Sequence, residues 1–315
     1  MIVTRPDIAR LIEQVRAGSP SPLSGIYGPG SATWRIARES VVFLGAGRAA
    51  LLQLAHPYVA HAIEQHSATT RDPIGRFNRT FQALYSIIFG DLETATAAAW
   101  RVRGIHDRVH GAIDEDIGRY ARGHRYHANE AEALLWVHAT LVDTAIMAFE
   151  MGFGPLPPED KEAYYQELKR TGALFGISDE IAPRTWSDFT AYCARMFEGD
   201  ELAVGRPARE IARSLMAPAS AAMKPAMRWY TALTAGMLPR RIREGFGLPF
   251  GRADELVVQA SRRALRRAWP LIPERVRWRP EYHEAVRRLE GRPRPDRLGR
   301  AIEQLMLRAV RPAGG

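Results

Sequence analysis

Histidine is the side chain best suited to chemistry near neutral pH, and one histidine of this chain lies in an apolar run. His138 sits in Ala133-Leu134-Leu135-Trp136-Val137-His138-Ala139-Thr140-Leu141-Val142-Asp143. An imidazole is costly to bury without a partner, and a metal is a partner that also does chemistry. At helical spacing Leu134, Leu141 and Ala145 share its face, while Thr140 and Asp143 lie away from it. One imidazole on an apolar face suits haem, because the porphyrin wants a greasy slot and the iron one neutral nitrogen. A core histidine bonded to a carbonyl produces the same pattern, and the residues alone leave both readings open.

Three other segments carry chemical residue types. His106-Asp107-Arg108-Val109-His110 places two histidines at i and i+4, one face of a helix, as in zinc hydrolases. Those enzymes have Glu after the first histidine and a third ligand, and here Asp107 follows with no third ligand nearby. His56-Pro57 follows Leu51-Leu52-Gln53-Leu54-Ala55, so His56 is expected to face the interior. His61 and His66 are expected to be more exposed. His61 and Glu64 make a His-x-x-Glu pair, but the chain has no Glu-x-x-His, which excludes a di-iron carboxylate bundle. Val41 to Ala50 reads as a strand entering a Gly45-x-Gly47 turn. With no second strand ending in an acid downstream, a tight helical junction is the preferred reading over a dinucleotide fold.

The elements that would position these residues are helical nearly throughout. Helices are expected at about 6–17, 32–45, 48–65 with an interruption at Pro57, and 74–89. Asp91 is an N-cap for a helix from Leu92 to Val109, and Asn129 one for the His138 helix. Gly152 to Pro158 is the clearest break, followed by helices at about 158–170, 186–198, 206–216, 220–236, 252–268, 280–290 and 297–310. No repeat and no sustained alternation of strand type is present. The expectation is an all-α protein. Residues 1–30 form an N-terminal helix and arm, and residues 31–315 form one large helical domain enclosing a haem pocket.

Composition narrows the classes. The 315 residues suffice for a full core, with 46% apolar and 25% charged residues and a net charge of +9. Only Lys161, Lys169 and Lys224 are lysines, so the positive charge is arginine spread along helices. No zinc-finger or RNA-binding aromatic motif accompanies it, and no nucleic acid is expected. The single cysteine, Cys193, excludes an internal disulfide and an iron–sulfur cluster held by this chain alone. No signal-like N-terminus and no 18-residue uncharged apolar run is read, so a cytoplasmic location is expected. Peripheral membrane contact through basic helices stays open.

Taken together, several segments resemble a known family. They are Gly45 to Pro57, Phe89-Gly90-Asp91, Arg101 to His106, Leu135 to Asp143, Glu162 to Glu167, and the Gly176-Ile177 region. Over about residues 25–250 the chain resembles the catalytic domain shared by bacterial latex-clearing proteins (rubber oxygenases) and fungal MpaB-type oxygenases. The resemblance implies an all-helical fold with b-type haem. It also implies dioxygen chemistry on an apolar, possibly isoprenoid-like, small molecule. By resemblance His138 is the proximal iron ligand. The family's Arg-x-x-Lys-Thr element is matched at Arg103, with His106 in place of Lys and Asp107 in place of Thr. A histidine there is a candidate second iron ligand.

The implied mechanism has Arg103 stabilising charge that develops on bound oxygen. Asp107, His110 and Asp91 are candidates for proton transfer. His56 is expected to line the pocket or anchor a propionate, and Arg48 to pair with a propionate. Two alternatives belong to other classes: a bis-histidine haem protein without turnover, and a metal-dependent hydrolase using His106 and His110. A basic helical scaffold without cofactor completes the set.

Overall fold

The computed structural model describes residues 1–66 and 73–310. Among them the chain is all-α, with one two-stranded antiparallel sheet. The helices are α1 Arg5–Ala17, α2 Ala32–Ala37, α3 Ala46–Leu54, α4 Pro57–His66, α5 Pro73–Phe89, α6 Leu92–His106, α7 Ala131–Phe153 and α8 Pro158–Leu174. They continue with α9 Trp186–Glu198, α10 Arg206–Leu215, α11 Lys224–Met237, α12 Arg240–Gly245, α13 Arg252–Ala268, α14 Glu274–Arg277, α15 Pro280–Leu289 and α16 Arg297–Val310.

Local chemistry explains where these helices begin. Thr4 and Asp7 close a reciprocal capping box on α1, and Thr185 and Asp188 do the same for α9. Asp91 accepts from the Thr94 amide at the start of α6. Asn129 does not cap α7. Glu130 holds the N-cap position without a side-chain capping bond, and the Asn129 amide reaches Asp107 instead.

The Gly45 region is the expected helical junction. Ser40–Gly45 is a 3-10 turn running directly into α3, and no strand forms there. A Cβ at Gly45 would collide with Thr144, so glycine is what lets this turn lie against α7. The stretch expected to be helical through Val109 departs from expectation. Helix α6 stops at His106, and His110–Ala112 forms β1, paired with β2 Arg125–His127. His106 and His110 therefore do not share a helix face, and the spacing argument for a zinc hydrolase fails. The chain leaves the helix at Asp107, whose carboxylate is held by Arg5, Arg103 and Asn129, and then pairs Gly111 with Tyr126 in the hairpin.

α7 is the central element. By length and composition it is apolar enough to cross a bilayer, yet most of it is covered by protein. Trp136, fully buried, donates its indole N–H to the Leu52 carbonyl at 2.9 Å and so locks α7 to α3. The N-terminal segment packs on the same core: Ile8, Ile12, Ile26 and Tyr27 belong to the main apolar cluster. Tyr27 also bonds Thr171 on α8 at 2.6 Å.

Candidate functional site

His138 sits on the third turn of α7, buried against α8. Two features of its ring matter. Its Nε2 is fully buried and has no hydrogen-bond partner, while the ring's other nitrogen bonds the Leu168 backbone. Burial pushes its pKa down to about 4, only partly offset by that bond, so the ring is neutral at pH 7. A neutral imidazole with Nδ1 tied to a carbonyl presents a lone pair at Nε2, the arrangement common to histidines that bind metals. Gly172 on α8 faces this nitrogen, and a Cβ there would lie 3.3 Å from Nε2.

The ring stands between two apolar cavities. The larger, about 50 Å³, is lined by Val42, Ala46, Phe81, Tyr85, Leu141 and Tyr164 among others from α3, α5, α7 and α8. The smaller, about 10 Å³, lies toward Leu135, Gly172, Ile177 and Phe189. Tyr85 and Tyr164 are buried phenols, and burial raises both well above the ordinary tyrosine value. Leu141 was expected on this face, but Phe81, Tyr85 and Tyr164 were not visible in the sequence, because α5 and α8 reach the cavity only through tertiary packing.

Arg48 is buried beside this region but is already engaged. Its Nε donates to the Met237 carbonyl at 2.8 Å, Nη1 to Thr144 at 2.6 Å and Nη2 to Asp143 at 2.6 Å. It thus crosslinks α3, α7 and the end of α11. Asp143 was expected to face away from His138, and it does so to meet Arg48.

Arg103, His106 and Asp107 stand at the C-terminal end of α6 and are not among the residues lining either cavity beside His138. Arg103 donates from Nε to Asp107 at 2.6 Å, and Asn129 and Arg5 also donate to that carboxylate. Burial would raise the Asp107 pKa, but the bonds from Arg5 and Arg103 outweigh it and hold the carboxyl below its usual range. Buried Arg103 Nη1 has no partner. His110 lies on the hairpin, its ring 6.1 Å from that of His127 and 6.5 Å from that of His66. Asp91 serves as the α6 cap.

His56 is interior, as expected, but it faces tyrosines and not the His138 cavity. Its Nδ1 accepts from the Tyr58 amide at 3.3 Å, and its ring packs 5.0 Å from Tyr58 and 6.1 Å from Tyr120. Burial, helped by the Arg119 charge, pushes its pKa down to about 3. His61 corrects the expectation of exposure: it is 1% exposed, closed in by Asp114 and Glu115. Its partners lie more than fifty positions away, so no local spacing announces them.

Residues 33–267 match the family described as ER-bound oxygenase mpaB/B'/Rubber oxygenase, catalytic domain. An uncharacterized protein of Mycobacterium bovis is 29% identical over 236 residues, which is 72% of this chain and 88% of that protein. An uncharacterized protein of Mycobacterium tuberculosis matches with the same identity and coverage. No solved structure matches the chain significantly.

Proposed function

Because the chain belongs to the MpaB and rubber oxygenase catalytic-domain family, we propose that it is a haem b-dependent oxygenase acting with dioxygen on a small apolar molecule. The observation that carries this reading is the buried, partnerless Nε2 of His138 in an apolar surround. A buried nitrogen without a partner costs about 1–3 kcal/mol, and an iron ion would supply that partner. The donor therefore fits an iron ligand. Its low pKa keeps protons from competing with the metal.

His138 would hold the haem, which when bound supplies an iron centre able to coordinate and reduce dioxygen. Ligands larger than a few atoms occupy pockets of roughly 300–1,000 Å³. The cavities on either side of the ring are about 50 and 10 Å³, so loading must part the packing around it. The chain's own contributions follow from its residues. The Leu168 carbonyl fixes the ring tautomer. Phe81, Leu141 and Tyr164 exclude water and favour an apolar substrate. Arg103, held by Asp107 at the end of α6, lies outside both cavities beside His138 and is assigned no part in this chemistry.

The test is an absorption spectrum of protein purified from haem-replete cells, as isolated and after dithionite. A Soret band is expected in the wild type and not in His138→Ala. Low-spin α and β bands after reduction would favour the bis-histidine carrier reading with His106, and a high-spin reduced form the oxygenase. A wild-type protein without a Soret band after haem titration, or a His138→Ala variant that keeps its haem, overturns the assignment.

A further inference from the structure

A second histidine has the opposite problem from His138. The His61 ring is buried, and both of its nitrogens face oxygen atoms that only accept. Nδ1 lies 2.9 Å from the Pro57 carbonyl. Nε2 lies 2.9 Å from Asp114 Oδ1 and 3.8 Å from Glu115 Oε1. A neutral imidazole has one N–H. With that proton on Nδ1, the Nε2 lone pair points at two carboxylate oxygens, and something positive must lie between them.

We propose that His61, Asp114 and Glu115 form a binding site for one divalent transition-metal ion. The three donor atoms lie within 4.8 Å of one another, close enough to converge on a single ion. The Nδ1 bond to a backbone carbonyl is the outer contact that orients a metal-binding imidazole. The carboxylates are held in place from behind. Arg206 Nη2 donates to Asp114 Oδ2 at 2.7 Å, and the Arg206 amide donates to Glu115 Oε1 at 3.0 Å. Gly205 allows this approach, since a Cβ there would collide with Glu115. Local charge agrees: Glu64, Asp114, Glu115 and Glu210 surround Arg206, in a chain whose net charge is +9.

One imidazole and two carboxylates suit Zn²⁺, Mn²⁺, Fe²⁺ or Co²⁺. Asp114 is half exposed, which leaves an entry path and room for water to complete the coordination. The ion would clamp α4, the segment after β1 and the start of α10, a structural role independent of the haem reading.

The test uses the full chain, stripped with a chelator and titrated with Zn²⁺ by calorimetry and with Co²⁺ by visible absorption. About one equivalent per chain is expected, with tetrahedral or five-coordinate cobalt bands. His61→Gln and Glu115→Gln, which preserve side-chain size, should lose binding by at least about tenfold while circular dichroism stays unchanged. His110→Gln is the control for the surface histidines. Binding lost in His110→Gln but kept in His61→Gln overturns the proposal in favour of adventitious surface ligation. No binding by the wild type, with both His61 nitrogens protonated by NMR, overturns it in favour of a simple imidazolium–carboxylate pair.

Discussion

His138 and His61 are both buried histidines on helices, and they are buried in contrary ways. His138 has one nitrogen satisfied and one with nothing to bond, in an apolar surround. His61 has more acceptors than it has protons, at the edge of a charged and partly wet cluster. Burial alone does not assign a histidine. What faces its second nitrogen does, because a lone pair and an N–H need opposite partners.

Removing each ring in turn separates the two sites. His138→Ala should abolish haem retention altogether, whereas His61→Gln should leave the Soret band in place. If the two variants lose haem alike, the sites are one folding unit and the contrast is lost.

The next effect tests whether the polar pin beside His138 is structural. Arg48→Met removes the partner of Asp143 and leaves the Met237 carbonyl and Thr144 without their donor. Breaking a buried ion pair by removing one member costs roughly 3–5 kcal/mol. Urea unfolding should report a loss of that order. A loss near zero would mean that Asp143 is readily solvated and that Arg48 is not the pin.

His56 offers a third case, buried among tyrosines, and a pH test. Its folded pKa is about 3, against about 6.5 in an unfolded chain. Between these values the unfolded state binds the extra proton, so stability rises with pH there and is lost as pH falls from about 6.5 toward 3. The contribution is at most about 1.4 kcal/mol per pH unit. His56→Gln should flatten the stability profile in that window. An unchanged slope in the variant would show that other groups govern it.

The smallest change sharpens the His138 side. Gly172→Ala places a methyl group 3.3 Å from Nε2. Alanine favours the helix by up to about 1 kcal/mol, so the apoprotein should unfold at an equal or slightly higher temperature. Haem affinity should nonetheless fall by about tenfold, equivalent to about 1.4 kcal/mol. Undiminished affinity would place the ligand on the other side of the ring.

Much of the scaffold was legible along the chain. Asp91, Thr185 and Pro158 mark helix starts through their own side chains and backbone, and the Gly152–Pro158 break separates α7 from α8 as expected. The end of α6 was not legible. His106 to His110 has ordinary helical spacing, but the chain turns at Asp107 and Arg108, and His110–Ala112 pairs with Arg125–His127, a contact set by the fold. Asn129 looked like a cap, and its side chain was claimed by Asp107.

Local sequence accounts for the helical fold, the family signature, and a histidine placed on the apolar face of a strongly hydrophobic helix. These follow from period, caps and local composition, which are properties of neighbouring residues. Only the tertiary structure decided that Nε2 of His138 is left without a partner beside Gly172, and that Arg48 is spent on Asp143. It also brought His61 to Asp114 and Glu115, although the sequence pattern pointed to a more exposed His61. Those outcomes depend on which helices pack together. Hydrogen-bond partners more than fifty residues apart leave no trace in local spacing, because the chain between them sets their distance only through the fold.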